Sequence, residues 1–250
     1  MNHREPRHSP HARALIRFLQ ARLSPEGYLG LHLTVGMLLI ILAFLSFYTV
    51  AEDYAANGWL SSMDRNAAEF FRQLITPRLT RVVRFVTFFG SVPAVTTVSV
   101  VVAIVLILKR EMYSFSALAL TIGGGRVLAV ALKYLFHRVR PAPENALVTL
   151  ASYAFPSGHT MGTTLLSGSL AIIAAASVNG FGKRAGFFLL AALWVMVIGA
   201  TRIYLGAHYL TDVIGGFTAG VAWLAVCWTA VESLRRWRMR RDSFPRPVFP

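Results

Sequence analysis

Runs of about twenty residues without a formal charge recur along this 250-residue chain, and they restrict its fold more than any other feature. Leu31 to Val50 is the first, 20 residues with no Asp, Glu, Lys or Arg. A helix of that length matches the roughly 30 Å hydrocarbon core of a bilayer. Inside lipid, backbone polar groups must be satisfied within the segment, which selects helices over irregular chain. A signal peptide has a shorter apolar core and a small-residue cleavage site, so this first run reads as an uncleaved spanning helix. Further charge-free runs fall at about 85–108, 158–178, 185–201 and 213–231, and another, at about 112–132, is interrupted by Gly123-Gly124-Gly125-Arg126. The expected fold is therefore all-α, an integral membrane six-helix bundle, with additional interfacial helices between spans 1 and 2. The lone Cys227 lies in an apolar run, so no intramolecular disulfide can form.

The remaining segments are short. Residues 1–29 read as a basic cytoplasmic tail, 30–232 as one six-span membrane domain, and 233–250 as a second basic tail. No internal repeat or long linker divides the chain. In the segment 51–84, Ala67, Phe70, Phe71 and Leu74 recur at helical spacing, the pattern of an amphipathic helix lying on the membrane. Thr76-Pro77 then reads as a helix start with proline at the first helical position. The net charge of +14 is carried in short clusters between apolar runs, which fits anionic lipid and not nucleic acid. With both termini on one side of six spans, that side carries 15 Lys and Arg against 9 on the other. The excess assigns the termini to the cytoplasm of a cytoplasmic (inner) membrane and the opposite loops to its outer face.

The same topology brings Lys133, Arg140, Ser157, His159, Arg202, His208 and Asp212 to that outer face, from four different helix ends. His208 and Asp212 are four residues apart and share one helix face, so the carboxylate can accept Nδ1–H and leave Nε2 as a nucleophile or base. Arg202 precedes His208 across Gly206 and can arch back as a bidentate anion ligand. Ser157-Gly158-His159 opens a span, where free N–H groups and the helix dipole favour an anion. Lys133, Arg140 and Arg202 supply three positive charges for phosphoryl oxygens. Near these residues the sequence offers only Asp212 and Glu144 as carboxylates, so no metal and no other cofactor is expected. Arg126 lies inside a span, seven residues before Lys133 on about the same face. It is a candidate either for supporting Lys133 or for a structural ion pair. His137 and His32 read as interfacial histidines without a role.

Lys133 to Arg140-Pro141, Pro156-Ser157-Gly158-His159, and Arg202 to His208 to Asp212 have the order and spacing of a known three-part pattern. The chain resembles the type 2 phosphatidic acid phosphatase superfamily over roughly residues 30–232. It departs only at Thr201, where the pattern has serine. The resemblance implies His208 as the nucleophile that takes the phosphoryl group, Asp212 as its orienting partner, and His159 as acid and then base. It implies Lys133, Arg140, Ser157, Gly158 and Arg202 as the phosphate cradle. The expected substrate is a membrane lipid phosphate or diphosphate, among them undecaprenyl diphosphate, phosphatidylglycerophosphate, phosphatidate and the lipid A phosphates. The family's vanadium-dependent haloperoxidases are soluble, and six spans argue against that activity. A phosphotransferase using the same phosphohistidine, or a non-enzymatic lipid-headgroup transporter, stands as the alternative.

Overall fold

Helix fills most of each apolar run in the computed structural model, which describes residues 30–56, 59–141, 146–148 and 152–242. The 1–29 tail and the end of the chain from residue 243 lie outside the described residues. In chain order the helices are α1 (Leu31–Ala56), α2 (Leu60–Gln73), α3 (Pro77–Phe88), α4 (Val92–Leu108), α5 (Met112–Phe136), α6 (Gly158–Ala176), α7 (Phe181–Tyr204) and α8 (Leu210–Asp242). No strand occurs among the described residues. Helix α8 runs on to Asp242, so the segment expected as a tail from residue 233 begins as helix, with Glu232 bound to Arg235 and Arg236.

Five helices, α1, α5, α6, α7 and α8, are each long and apolar enough to cross a membrane. The crossing expected at 85–108 is not one straight helix. It is the pair α3 and α4, bent by 42° at the break, which only together are long and apolar enough to cross a membrane. The break has a local cause. The Ser91 side chain caps α4 by accepting the Ala94 N–H at 3.4 Å, and Pro93 follows in the first turn. Gly90 sits in the bend against α7, where a Cβ would lie 2.6 Å from Ile198 Cγ2. Helix α3 starts at the expected place, with Pro77 in its first turn and the Thr76 hydroxyl accepting the Leu79 N–H at 3.3 Å.

Helix α6 forms the centre, packed against α5, α7 and α8, while α1 lies along α8 at the edge. Met161 and Leu165 of α6 meet Ala129 of α5 and Ala219 of α8 in the core. Small residues let the backbones close, as membrane packing requires. A Cβ on Gly216 of α8 would lie 2.6 Å from the Ser157 carbonyl oxygen. Outward faces carry exposed apolar side chains, such as Leu38 and Leu42 on α1 and Leu189 and Leu190 on α7. Hydrocarbon, not water, is the natural cover for these. On α2, Trp59, Met63 and Phe70 near or on the helix stay exposed, as for a helix lying in the interface.

Candidate active site

Alternating helix direction puts the end of α5, the start of α6, the end of α7 and the start of α8 at one end of the bundle. Each carries part of the site. Helix α5 ends at His137, which takes a left-handed conformation (φ 46°) and returns its N–H to the Lys133 carbonyl at 3.1 Å. That turn sends Arg138 and Arg140 inward, while the His137 ring packs edge-on against Tyr153. Lys133 Nζ donates to the Tyr153 carbonyl, and its Cε lies 3.9 Å from the place a Gly158 Cβ would take. Arg140 is held by the carbonyls of Ser152 and Ala207, both at 2.6 Å, and extends Nη1 to within 3.2 Å of His208 Nε2. Burial lowers the Arg140 pKa from the usual guanidinium value, with Asp212 opposing.

The turn from α7 to α8 explains how Arg202 and His208 meet. Gly206 has φ 63°, the Gly206 N–H reaches the Ile203 carbonyl at 2.9 Å, and the Ala207 N–H reaches the Arg202 carbonyl at 3.0 Å. This is a Schellman closure, which reverses the chain over the last helical turn. His208 then faces Asp212, with Nδ1 3.3 Å from Oδ2. A guanidinium only donates, so the Arg140 contact is satisfied by a neutral ring with its proton on Nδ1 and a lone pair on Nε2. Burial is the main cause that pushes the His208 pKa down to about 4; Asp212 opposes it, while Arg140 and Arg202 reinforce it. Asp212 has a second duty, for its Oδ2 accepts the Tyr209 N–H at 2.9 Å and so caps α8.

At the start of α6, the Ser157 hydroxyl accepts from the Thr160 hydroxyl at 3.1 Å and from its N–H at 3.5 Å, which leaves the serine proton to donate. The Ser157 N–H binds the Asp212 carbonyl at 2.9 Å and joins the first turns of α6 and α8. The N–H groups of Gly158 and His159 belong to the first helical turn and need acceptors from outside it. His159 lies within the electrostatic reach of Arg202, His208, Arg140 and Lys133. Arg202 is buried, with Nη1 on the Thr87 hydroxyl at 3.0 Å. Its Nε has no acceptor among the described residues. The Thr201 hydroxyl also meets Thr87, at 3.0 Å.

All eight residues expected in the catalytic and phosphate-holding groups thus gather at one end. The expectation that only Asp212 and Glu144 supply nearby carboxylates is incorrect. Glu144 lies outside the described residues, and Asp64, from the interfacial segment, is buried beside the site and bonded to Arg138, which is bonded in turn to Asp212. Thr87, Asp64 and Arg138 were not singled out from sequence. Arg138 had a signal, an arginine two residues before Arg140 in an extended stretch, whereas Asp64 reads as one more polar residue on a surface helix. Arg126 is exposed and makes no hydrogen bond or ion pair among the described residues; it lines a cavity of about 90 Å³ that reaches Gly158. On the other side, a cavity of about 510 Å³ between α2 and the α7–α8 turn opens at His208. A larger one, about 810 Å³, lies at the far end of the bundle around His32 and Arg235, away from these residues.

Residues 112–236 match the PAP2 superfamily model, half of the chain, and that stretch holds every one of the motif residues. The chain belongs to the PAP2 superfamily. Phosphatidylglycerophosphatase B of Bacillus subtilis (strain 168) is 28% identical over 202 residues, covering 79% of this chain and 97% of the relative. Lipid phosphate phosphatase delta of Arabidopsis thaliana is 34% identical over 84 residues, 33% of this chain and 20% of that protein. Among solved structures, the transmembrane PAP2 type phosphatidylglycerolphosphate phosphatase from Bacillus subtilis superposes with a TM-score of 0.69 at 24% identity, covering 82% of this chain and 98% of the other. Aquifex aeolicus LpxE superposes with a TM-score of 0.50 at 26% identity, covering 67% and 92%. The protein is a multi-pass member of a family of membrane lipid phosphatases.

Proposed function

We propose that the protein hydrolyses the terminal phosphate of a lipid phosphate or diphosphate at the extracytoplasmic face, through a phosphohistidine and without a metal. The observation that carries the reading is the pairing of a neutral, Nδ1-anchored His208 with a buried Arg202 whose Nε lacks an acceptor. His208 Nε2 attacks phosphorus, the bond from phosphorus to the lipid oxygen breaks, and protonated His159 gives that oxygen its proton. Neutral His159 then takes a proton from water, whose oxygen attacks the phosphohistidine, releasing phosphate and restoring His208. Lys133, Arg140, Arg202, the Ser157 hydroxyl and the Gly158 N–H hold the phosphoryl oxygens, in the role that fixed donors play in such reactions. Asp64 and Asp212 are both engaged by Arg138, so the charge on the phosphate is met by cations of the protein.

The 15-to-9 distribution of Lys and Arg supports the outer face as the side of the reaction. A cavity lined by α4, α5 and α6 reaches Gly158 and Arg126, and a second, beneath α2, reaches His208, so the site is approached from two directions. Phosphatidylglycerophosphate is the first substrate to try, because the relative named for it aligns over 97% of its length. Phosphate release should be measured with purified protein over phosphatidylglycerophosphate, undecaprenyl diphosphate, phosphatidate and a lipid A phosphate. Rapid quench with the labelled preferred lipid should trap an acid-labile, base-stable phosphoprotein that is missing in His208→Ala. Full turnover by that variant, or activity that disappears with EDTA, would refute the reading.

A further inference from the structure

We propose that Asp64 and Arg138 are positioning residues for His208, acting on it through Asp212. The proposal rests on the phosphohistidine reading for its catalytic consequence, but its geometry is independent of it. Arg138 is buried and its guanidinium is fully engaged at its tip. Nη1 donates to Asp212 Oδ1 and to the Thr211 hydroxyl, both at 2.6 Å, and Nη2 donates to Asp64 Oδ2 at 2.8 Å. Its Cζ lies 4.5 Å from the centroid of the Tyr209 ring. Asp64 in turn accepts the Thr211 N–H at 2.8 Å and the Thr211 hydroxyl at 2.7 Å. A carboxylate on α2 thereby serves as the N-terminal cap of α8, where negative charge is favoured.

The arrangement divides Asp212 between two tasks. Oδ1 belongs to Arg138, and Oδ2 faces His208 Nδ1 and the Tyr209 N–H. With Oδ1 held, the carboxylate cannot rotate away from the imidazole. Charge follows the same division. A buried carboxylate alone beside an imidazole would draw a proton onto the ring and remove the nucleophile's lone pair. Arg138 offsets that pull, and Asp64 in turn moderates Arg138, so two carboxylates share one guanidinium. Buried ionic groups of this kind are costly unless paired and hydrogen-bonded on all sides, as these are.

The other charged and titratable groups around His208 can be named. Asp212 and Tyr209 face it from the start of α8, Arg140 from the segment after α5, Arg202 and Tyr204 from the end of α7, and His159 from α6. Arg65, Glu69 and Arg72 of α2 line the cavity that opens on its far side. Asp64 and Arg138 differ from all of these because they reach His208 only through Asp212. They also tie the seating of the interfacial helix α2 to the set of the nucleophile.

The test is a titration of His208 by ¹³C-histidine NMR in micelles, with its signal assigned by loss in His208→Ala and with thermal stability and turnover recorded on the same samples. Arg138→Gln should raise the midpoint of His208 by roughly one pH unit or more, since a cation bonded to its partner carboxylate is lost. Asp64→Asn should leave the midpoint at or below the wild-type value, because the guanidinium then acts on Asp212 undivided. Arg138→Lys retains the charge without the fork, so its midpoint should stay near wild type while kcat falls about tenfold at similar KM. A pair with only a structural role would lower stability in both neutralising variants and move neither midpoint. That outcome, an equal rise in both, or full kcat in Arg138→Lys, would overturn the proposal. Should Arg138→Gln fail to fold, Asp64→Asn and Arg138→Lys still decide it. Opposed responses of the two neutralising variants in a protein that forms no phosphohistidine would instead refute the catalytic reading and leave the positioning intact.

Discussion

Replacing Arg202 by lysine separates charge from geometry at the centre of the site. Arg202 already uses Nη1 on Thr87 at 3.0 Å, and its buried Nε remains to be satisfied. Lysine brings the same charge on a single nitrogen, which can serve Thr87 or a phosphoryl oxygen but not both from one fixed place. One charge-assisted hydrogen bond is worth about 1.5–3 kcal/mol, or roughly 10- to 150-fold in rate. Loss of one preorganised oxyanion donor falls at the upper part of that range or above it, so a decrease of about 10²-fold is expected. Thr87→Val removes the hydroxyl that anchors Arg202 and meets Thr201 but leaves the guanidinium itself to bind a phosphoryl oxygen, so the loss in rate should be smaller, about fivefold or about 1 kcal/mol. Phosphate release from a lipid phosphate in mixed micelles, with kcat and KM resolved, is the assay. The Arg202→Lys loss should appear mainly in kcat, because the contact strengthens as charge develops on the phosphoryl group. Wild-type kcat in Arg202→Lys, or a Thr87→Val loss as large as that of Arg202→Lys, would refute this reasoning.

In the proposed mechanism the neutral His208 ring attacks, and its pKa is lowered to about 4, so the acidic loss of kcat/KM that His208 sets should fall near pH 4 and not near the ordinary histidine value. An acidic limb near 6.5, the unperturbed histidine value, would contradict the burial of His208. Arg126 makes no hydrogen bond or ion pair among the described residues and lines the cavity that reaches Gly158, so Arg126→Leu should slow turnover and leave thermal stability unchanged. Reduced stability with full turnover would assign it to the bundle instead. A reporter fused after Pro250 should behave as cytoplasmic and a cysteine in the 142–150 loop should label from outside; labelling only after permeabilisation would reverse the orientation.

The residues whose partners are set by short spacing were legible in the sequence. His208 and Asp212 are related by one helical turn, Ser157 opens a helix that Gly158 continues, and Thr76-Pro77 starts α3 as its chemistry requires. The break between α3 and α4 was hidden because a charge-free run reveals hydrophobicity and not direction. Its signal was present in Gly90-Ser91-Val92-Pro93, a capping serine and a proline just inside the next helix. Asp64 and Thr87 were beyond reach for a different reason. Asp64 lies 74 positions from Arg138 and Thr87 lies 115 from Arg202, and no periodicity within one segment encodes a partner that far away. An inward-facing aspartate on an amphipathic helix looks like its solvated neighbours until the helix is seated.

The closure at Gly206 has a bearing on insertions and deletions. The turn between Arg202 and His208 is closed by two backbone hydrogen bonds, from Gly206 to Ile203 and from Ala207 to Arg202, that count residues from the end of α7. One residue added between Leu205 and His208 would leave every side chain of the site in the sequence, yet His208 would emerge from the turn at a different angle to Arg202 and Arg140. The number of residues between that arginine and the histidine is therefore a structural quantity in its own right. A homologous chain that preserves each motif residue but changes this interval would be expected to lose the constellation, just as if His208 itself had been exchanged.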